Sequence, residues 1–147
     1  SKWWGKNLPI IHVRHSSSNV DSKLHESNPG FEFNDHVMPL DDEIVLTKNV
    51  NSAFIGTGLK SILDESKTEI IVIVGMTTNH CISTTTRMSG NLGYDTYLIS
   101  DSTACYNTKA VNGEIIDCEI IYKTSLASIN EEFATVINSS ELINLID

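Results

Sequence analysis

The chain has 147 residues, 40% hydrophobic and 20% charged, which is ordinary for one globular domain and excludes a disordered or fibrous chain. Its formal net charge of -9 disfavours binding to nucleic acid or to anionic membranes, because both present negative phosphates. No apolar run reaches the roughly 20 residues of a membrane-spanning helix. The 3 cysteines lack CxxC spacing and indicate neither a disulfide framework nor a zinc site. We therefore expect a soluble, cytoplasmic protein with a single domain over residues 1–147.

Short apolar runs rich in β-branched residues alternate along the chain with segments of helical period. The runs predict strands at residues 9–14, 43–47, 69–74, 96–100 and 134–137. The periodic segments predict helices at residues 52–67, 79–92, 117–132 and 140–146, with Ser52 as a candidate N-cap for the first. This alternation predicts an α/β fold with a doubly wound, mostly parallel sheet and helices on both faces.

One segment, residues 16–42, is polar and has no clear period. A loop this long within a compact domain is usually functional or mobile. A substrate lid and an oligomer contact are both compatible with it.

The densest chemical signal is IVIVGMTTNHCISTTTRMSGNLGYDTYLISD at residues 71–101. A buried strand runs into Gly75, a tight polar turn follows, and Cys81 comes near the first turn of the next helix. Free N–H groups and the helix dipole stabilise a thiolate at such a position. A small packed thiol is the alternative interpretation of Cys81. The turn is not a phosphate-binding loop, because GxGxxG and GxxxxGK[ST] are both absent.

GMTTNHC, followed by ISTTTRMSGNLGYDTYLISDSTA, resembles the nucleophile segment of the isochorismatase-like cysteine hydrolases, which include nicotinamidases and N-carbamoylsarcosine amidohydrolase. IVLTKNVNSAFIGTGL at residues 44–59 resembles the segment that holds the family's catalytic lysine. PIIHVRHSS at 9–17 resembles its second strand, and SLASINEEFATVINSSEL at 125–142 its closing helix and strand. The resemblance implies a Rossmann-like sheet of order 3-2-1-4-5-6.

The resemblance also implies a role for particular residues. Cys81 would be the nucleophile, and Lys48 would stabilise its thiolate and the charged states that follow. A non-proline cis peptide is expected at Met76–Thr77, aiming the backbone N–H groups of Thr77 and Cys81 at the developing oxyanion. Asn79 and His80 occupy variable positions of the motif and are assigned no chemistry.

One departure from the family concerns its third catalytic residue, an Asp at the end of the first strand, which acts as general base on the cysteine. No matching stretch occurs in this sequence. We expect an incomplete record of a longer chain that lacks one strand-helix unit of roughly 30 residues. A truncated, inactive relative is the alternative. Asp101, expected to tie down its own loop, is a disfavoured substitute for the missing base.

A second departure concerns metal. Nicotinamidases bind a metal through Asp-x-His and further histidines, whereas His25 and His36 are isolated here. We therefore expect no metal and no other cofactor, and nicotinamide is disfavoured as substrate.

The leading functional hypothesis is a cysteine-dependent hydrolase that cleaves a C–N bond in a small amide, ureide or related molecule through a thioester-type intermediate. The resemblance implies a homo-oligomer, dimer or tetramer, and a small-molecule substrate. The alternative is a catalytically inactive binding or assembly module with the same fold. A flavodoxin-like small-molecule-binding domain fits the alternation but leaves the Lys48 and Cys81 motifs unexplained.

Overall fold

The structure is a computed structural model that describes residues 2–147. The chain forms two compact units, the first ending at Ile62 and the second running from Leu63 to Asp147. The expectation of a single domain over residues 1–147 stays a prediction.

The first unit contains a short helix and two parallel strands. Helix α1 is Lys2–Gly5, strand β1 is Ile11–His15 and strand β2 is Ile44–Lys48. The two strands pair in register, from Ile11 beside Ile44 to His15 beside Lys48. The segment between them contains 3-10 turns at Pro29–Phe31 and Asp35–Val37.

The second unit contains most of the regular structure. In chain order its elements are β3 (Ile70–Met76), a π-helical turn (Thr78–Ile82), α3 (Ser83–Asn91), β4 (Asp95–Ala104), β5 (Thr108–Lys109), β6 (Ile115–Ile116), α4 (Cys118–Ala127), β7 (Thr135–Ile137) and α5 (Ser139–Ile146). Helix α2 (Leu59–Glu65) begins in the first unit and ends in the second.

The main sheet of the second unit has the order β3–β4–β7, with all strands parallel. Its core is built from aliphatic side chains of strands, turn and helix ends: Ile73, Ile82, Leu98, Ile129 and Ala134. Strands β5 and β6 form a separate antiparallel hairpin. Burial of this aliphatic cluster is what fixes the turn after β3 against the sheet.

The predicted α/β fold with parallel sheets and helices is confirmed, and each predicted strand is present. The pairing of β1 with β2 corresponds to neighbours 2 and 3 of the expected order, and β3–β4–β7 to neighbours 4, 5 and 6. Strand β4 is longer than predicted, because it continues through Asp101 to Ala104.

The prediction of a helix over residues 52–67 was wrong in its first half. The Ser52 hydroxyl accepts from the Phe54 amide at 3.2 Å, but the chain then forms turns and becomes helical only at Leu59. Gly56 has φ of 70°, which no right-handed helix contains. Thr57, whose hydroxyl accepts from the Leu59 amide at 3.2 Å, precedes the real helix start.

The remaining helices also differ from their predicted bounds at the ends. Helix α4 begins at Cys118, after the N-cap Asp117, and ends at Ala127 with Ser128 as C-cap. Helix α5 begins one residue early, because Asn138 and Glu141 form a capping box. The asparagine was the start signal that the sequence reading overlooked.

Candidate active site

Cys81 lies in the turn that follows β3, within the π-helical segment Thr78–Ile82, and its side chain is half-buried. The carbonyl of Thr77 accepts hydrogen bonds from the amides of His80, at 3.1 Å, and Ile82, at 3.2 Å. The turn is thereby closed around the cysteine before α3 begins at Ser83. The predicted helix over residues 79–92 therefore starts as a wider π turn, a feature often found at functional sites.

The backbone on the strand side of this turn is unusual at two neighbouring positions. The Met76–Thr77 peptide bond is cis. Gly75 has φ of 128°, a conformation that L side chains rarely adopt, and a Cβ there would lie 3.4 Å from Cδ1 of Ile82. A glycine is thus required where the strand turns toward Cys81.

Strands β3 and β4 lose their regular register beside the turn. Ile73 pairs with Leu98 while Gly75 pairs with Thr103, so β4 bulges between the paired positions. An open depression of about 250 Å³ lies there, lined by Gly75, Met76 and residues 101–104. Thr78 is fully buried, and its hydroxyl lies 2.9 Å from that of Thr103, which connects the turn to the far side of the bulge.

Lys48 is the last residue of β2 and is only 4% exposed. Its Nζ lies 3.1 Å from Nδ1 of His15 and donates to the Val50 carbonyl at 3.0 Å. The backbone continues the pairing beyond the strands, because the Ser16 amide donates to the Lys48 carbonyl at 2.8 Å. The Asn49 side chain also donates to the Ser16 carbonyl at 2.9 Å. These backbone contacts extend the order of the sheet just beyond its carboxyl end, where the ammonium group lies.

His15 was not identified as a site residue from the sequence. Burial, and next the positive charge of Lys48, lower the pKa of His15 from its ordinary value of 6.5, against an opposing effect of the Val50 carbonyl. The imidazole is therefore neutral at pH 7. PIIHVRH and EIVLTK each end in a polar residue, but only the observed register brings these ends together.

The structure gives Asp101 a structural role that differs from the expected one. Its carboxylate accepts from the Ser139 amide at 2.8 Å and from the Ser139 hydroxyl at 2.6 Å. Asp101 thus ties β4 to the start of α5, beyond its own loop. Both carboxylate oxygens are engaged, which leaves it poorly suited to act as a base.

The two histidines considered as metal ligands lie in the segment between β1 and β2. His25 lies 2.8 Å from the Ser27 hydroxyl, and the amide of His36 donates to the Asn34 side chain at 3.0 Å. Among residues 2–147, no group of three or more His, Cys, Asp or Glu side chains could hold a metal ion. The residues present therefore do not fit the metal site of the nicotinamidase branch.

The parallel strands and the helices between them define a Rossmann-like α/β fold, with Cys81 in the turn after β3 and the buried Lys48 at the end of β2. The family model "Isochorismatase domain" matches residues 2–141. The chain belongs to the isochorismatase family, as the sequence resemblance implied. Within residues 2–147, no helix combines the length and apolarity needed to cross a bilayer.

The isochorismatase family protein YrdC of Bacillus subtilis is 46% identical over 142 residues, which span 97% of this chain and 76% of that protein. The ureidoacrylate amidohydrolase RutB of Acinetobacter baylyi is 29% identical over 114 residues, 78% of this chain and 42% of that protein. A crystal structure of an isochorismatase-family protein from Chromobacterium violaceum superposes with a TM-score of 0.93 at 32% identity, covering 97% of this chain and 74% of that one.

Proposed function

We propose that this protein is a cysteine-dependent hydrolase that cleaves a C–N bond in a small amide, ureide or related molecule. The observation that carries the proposal is the position of Cys81 in the glycine-initiated turn after β3, in a chain that belongs to the isochorismatase family. Members of this family are hydrolases. The name of the related ureidoacrylate amidohydrolase supports a C–N bond as the target.

The proposed reaction has two stages. In the first, the Cys81 thiolate attacks the carbonyl carbon, a C–S bond forms, the C–N bond breaks, and the nitrogen takes up a proton and leaves as ammonia or an amine. In the second, water attacks the thioester, the C–S bond breaks, and the carboxylic acid and the thiol are released. The sum is one amide and one water converted into one acid and one amine.

The backbone N–H groups of Thr77 and Cys81 are the proposed oxyanion donors in both stages. Negative charge develops on the carbonyl oxygen when sulfur or water adds to the carbon, and an aimed donor is worth about 10²–10³ in rate. The turn closed on the Thr77 carbonyl supports this assignment, because a fixed backbone keeps its donors in place.

Lys48 is the proposed source of positive charge for the Cys81 thiolate. Its burial and its neutral neighbour His15 support that role, because a charge in a poorly hydrated site acts more strongly than one in water. The general base that the family resemblance predicts, an Asp after the first strand, is not a residue of this sequence. The proposed roles are those of Cys81 as nucleophile and of Lys48 as the source of positive charge.

The test is an ammonia-release screen of the full-length protein over small amides and ureides, with matched cysteine variants. Cys81→Ser should lower turnover by about 10³-fold or more, because a serine hydroxyl is hardly ionised near neutral pH. The control is Cys118→Ser. Cys118 is also half-buried and also begins a helix, but it follows an ordinary N-cap, Asp117.

Equal loss in both variants, or full turnover without Cys81, would contradict the cysteine mechanism. Binding of such molecules without turnover by the full-length protein, in which Cys81 is unmodified, would favour the inactive binding module instead. Sedimentation of the same preparation tests the proposed dimer or tetramer.

A further inference from the structure

The carboxyl ends of β1 and β2 bring a histidine and a buried lysine side by side. His15 and Lys48 are direct partners in the parallel register, and Nδ1 lies 3.1 Å from Nζ. This histidine is outside the Cys81 turn, and the proposed function uses it only as the neutral neighbour of Lys48.

The direction of this hydrogen bond follows from the chemistry of the two groups. A lysine ammonium has N–H donors and no lone pair to accept with. Nδ1 of His15 must therefore be the acceptor, which places the imidazole proton on Nε2. The Val50 carbonyl accepts a second hydrogen bond from Nζ at 3.0 Å. Two acceptors on neighbouring chain segments thus fix the position of the ammonium.

The charges around His15 favour this neutral tautomer. Lys48 on β2 faces it directly, and burial together with that charge lowers the pKa of His15 below 6.5. The other charged groups of the same sheet have their own partners. Arg14 lies over the Phe31 ring at 4.1 Å and 3.8 Å from Glu32, and His12 contacts Glu43 at 2.8 Å.

We propose that His15 is a positioning residue for Lys48, whose ammonium it holds at the end of β2 as a neutral hydrogen-bond acceptor. Protonation of His15 removes the acceptor lone pair and puts a second positive charge beside the first. His15 can therefore accept the hydrogen bond from Lys48 only at pH values where its imidazole is neutral. The effect of the positioned Lys48 on Cys81 rests on the proposed function, whereas the hydrogen bond between His15 and Lys48 does not.

The first arm of the test does not depend on activity. Two-bond ¹H–¹⁵N correlation spectra of histidine-labelled protein distinguish a protonated from an unprotonated ring nitrogen. At pH 7.5, His15 should show an unprotonated, hydrogen-bonded Nδ1 and a protonated Nε2. Lys48→Met should shift the Nδ1 signal toward that of a free nitrogen. A protonated Nδ1 in the unmodified protein overturns the inference by itself.

The second arm measures iodoacetamide labelling of Cys81, and turnover once a substrate is known. His15→Ala should slow both about 10-fold, the value of one lost hydrogen bond to a charged group. His15→Asn should stay within about threefold of the unmodified protein, because its side-chain oxygen supplies a neutral acceptor near the Nδ1 position. His12→Gln is the matched control on the same strand and should leave both rates unchanged.

The pH profile separates positioning from packing. The unmodified protein should lose rate below pH 6.5 as His15 becomes charged, and His15→Asn should lack that step because asparagine does not titrate. If His15→Asn is folded but as slow as His15→Ala, or keeps the step, the positioning role is wrong. If turnover proves independent of Cys81, the proposed function fails, while the spectra still decide the His15–Lys48 pair.

Discussion

The two regions proposed to supply chemistry are held in place by different means. At the end of β2, Lys48 is fixed by side chains and carbonyls from neighbouring segments, among them His15 and Val50. After β3, Cys81 is presented by its own backbone, through Gly75 and the hydrogen bonds that close on the Thr77 carbonyl. The lysine depends on a cross-strand register, and the cysteine on a local sequence motif.

This difference explains how sensitive each region should be to substitution. A backbone-built turn tolerates changes of side chain but not changes that alter allowed dihedral angles. A charge held by side chains depends on the chemistry of each partner. Substitutions at Lys48 should therefore act through charge, and substitutions at Gly75 through the allowed backbone dihedral angles.

Removing the lysine charge should have the largest effect. If Lys48 supplies the positive charge for the thiolate, as proposed, Lys48→Ala should lower turnover about 10²-fold and slow iodoacetamide labelling of Cys81 about 10-fold, because that charge is lost. Lys48→Arg keeps the charge but not the compact ammonium that fits between His15 and Val50. We expect it to preserve labelling better than turnover. Both rates are measured on the full-length protein, by mass spectrometry and ammonia release.

The other cysteines provide the internal control for this experiment. Burial, and next its neighbour Cys118, raise the pKa of the Cys105 thiol, so that it is protonated near pH 7. Its sulfur lies 3.2 Å from the Cys118 carbonyl, to which the thiol donates. Cys81 should therefore be labelled first. If Cys105 or Cys118 reacts as fast in the folded protein, the nucleophile assignment loses its physical basis.

The cysteine region was the more predictable of the two because its signals are local. The strand, Gly75, the short polar turn and the cysteine are consecutive in the sequence, and the alternation of strands and helices supplied the α/β fold around them. The role of His15 could not be predicted in this way. It depends on the register that places His15 beside Lys48, residues far apart in the sequence.

The errors in the predicted helix bounds also come from contacts that the apolar pattern does not reveal. Apolar spacing over residues 52–67 suggested one continuous helix, but side-chain hydrogen bonds of Ser52 and Thr57 and the positive φ of Gly56 formed turns instead. Periodicity describes which face an apolar residue occupies. It does not reveal where polar side chains compete for the backbone.

Replacing Gly75, the glycine at the start of the cysteine turn, should have an effect smaller than that at Lys48 and larger than that at Asp101. Gly75→Ala should destabilise the protein by about 1–3 kcal/mol, because alanine is strained at φ of 128°. The matched control is Gly58→Ala, where φ is not positive and the nearest atom, Cδ1 of Ile62, lies 4.0 Å from the added Cβ. Urea unfolding midpoints measure both. Equal midpoints for the two variants would show that Gly75 is not required by its backbone conformation.

The smallest expected effect concerns Asp101, which is exposed and joins β4 to α5. Hydrogen bonds from Ser139, chiefly from its hydroxyl, hold the pKa of the Asp101 carboxyl below its ordinary 3.8, although a smaller loss of hydration opposes them. Because the pKa of this carboxyl is lower in the folded than in the unfolded protein, its ionised form stabilises the fold. That stabilisation is complete only at pH values well above 3.8. That contribution is lost as the pH falls through 3.8 to the folded-state value.

Asp101→Ala should therefore lower the urea midpoint slightly at pH 7 and leave a smaller difference at pH 3. It should also speed hydrogen exchange of the Ser139 amide, which donates to Asp101 at 2.8 Å. Asp95→Ala, at the other end of β4, is the control for removing an exposed carboxylate from the same strand. A midpoint difference that is the same at both pH values would mean that the ionised carboxylate does not stabilise the start of α5. The contact would then contribute only through packing.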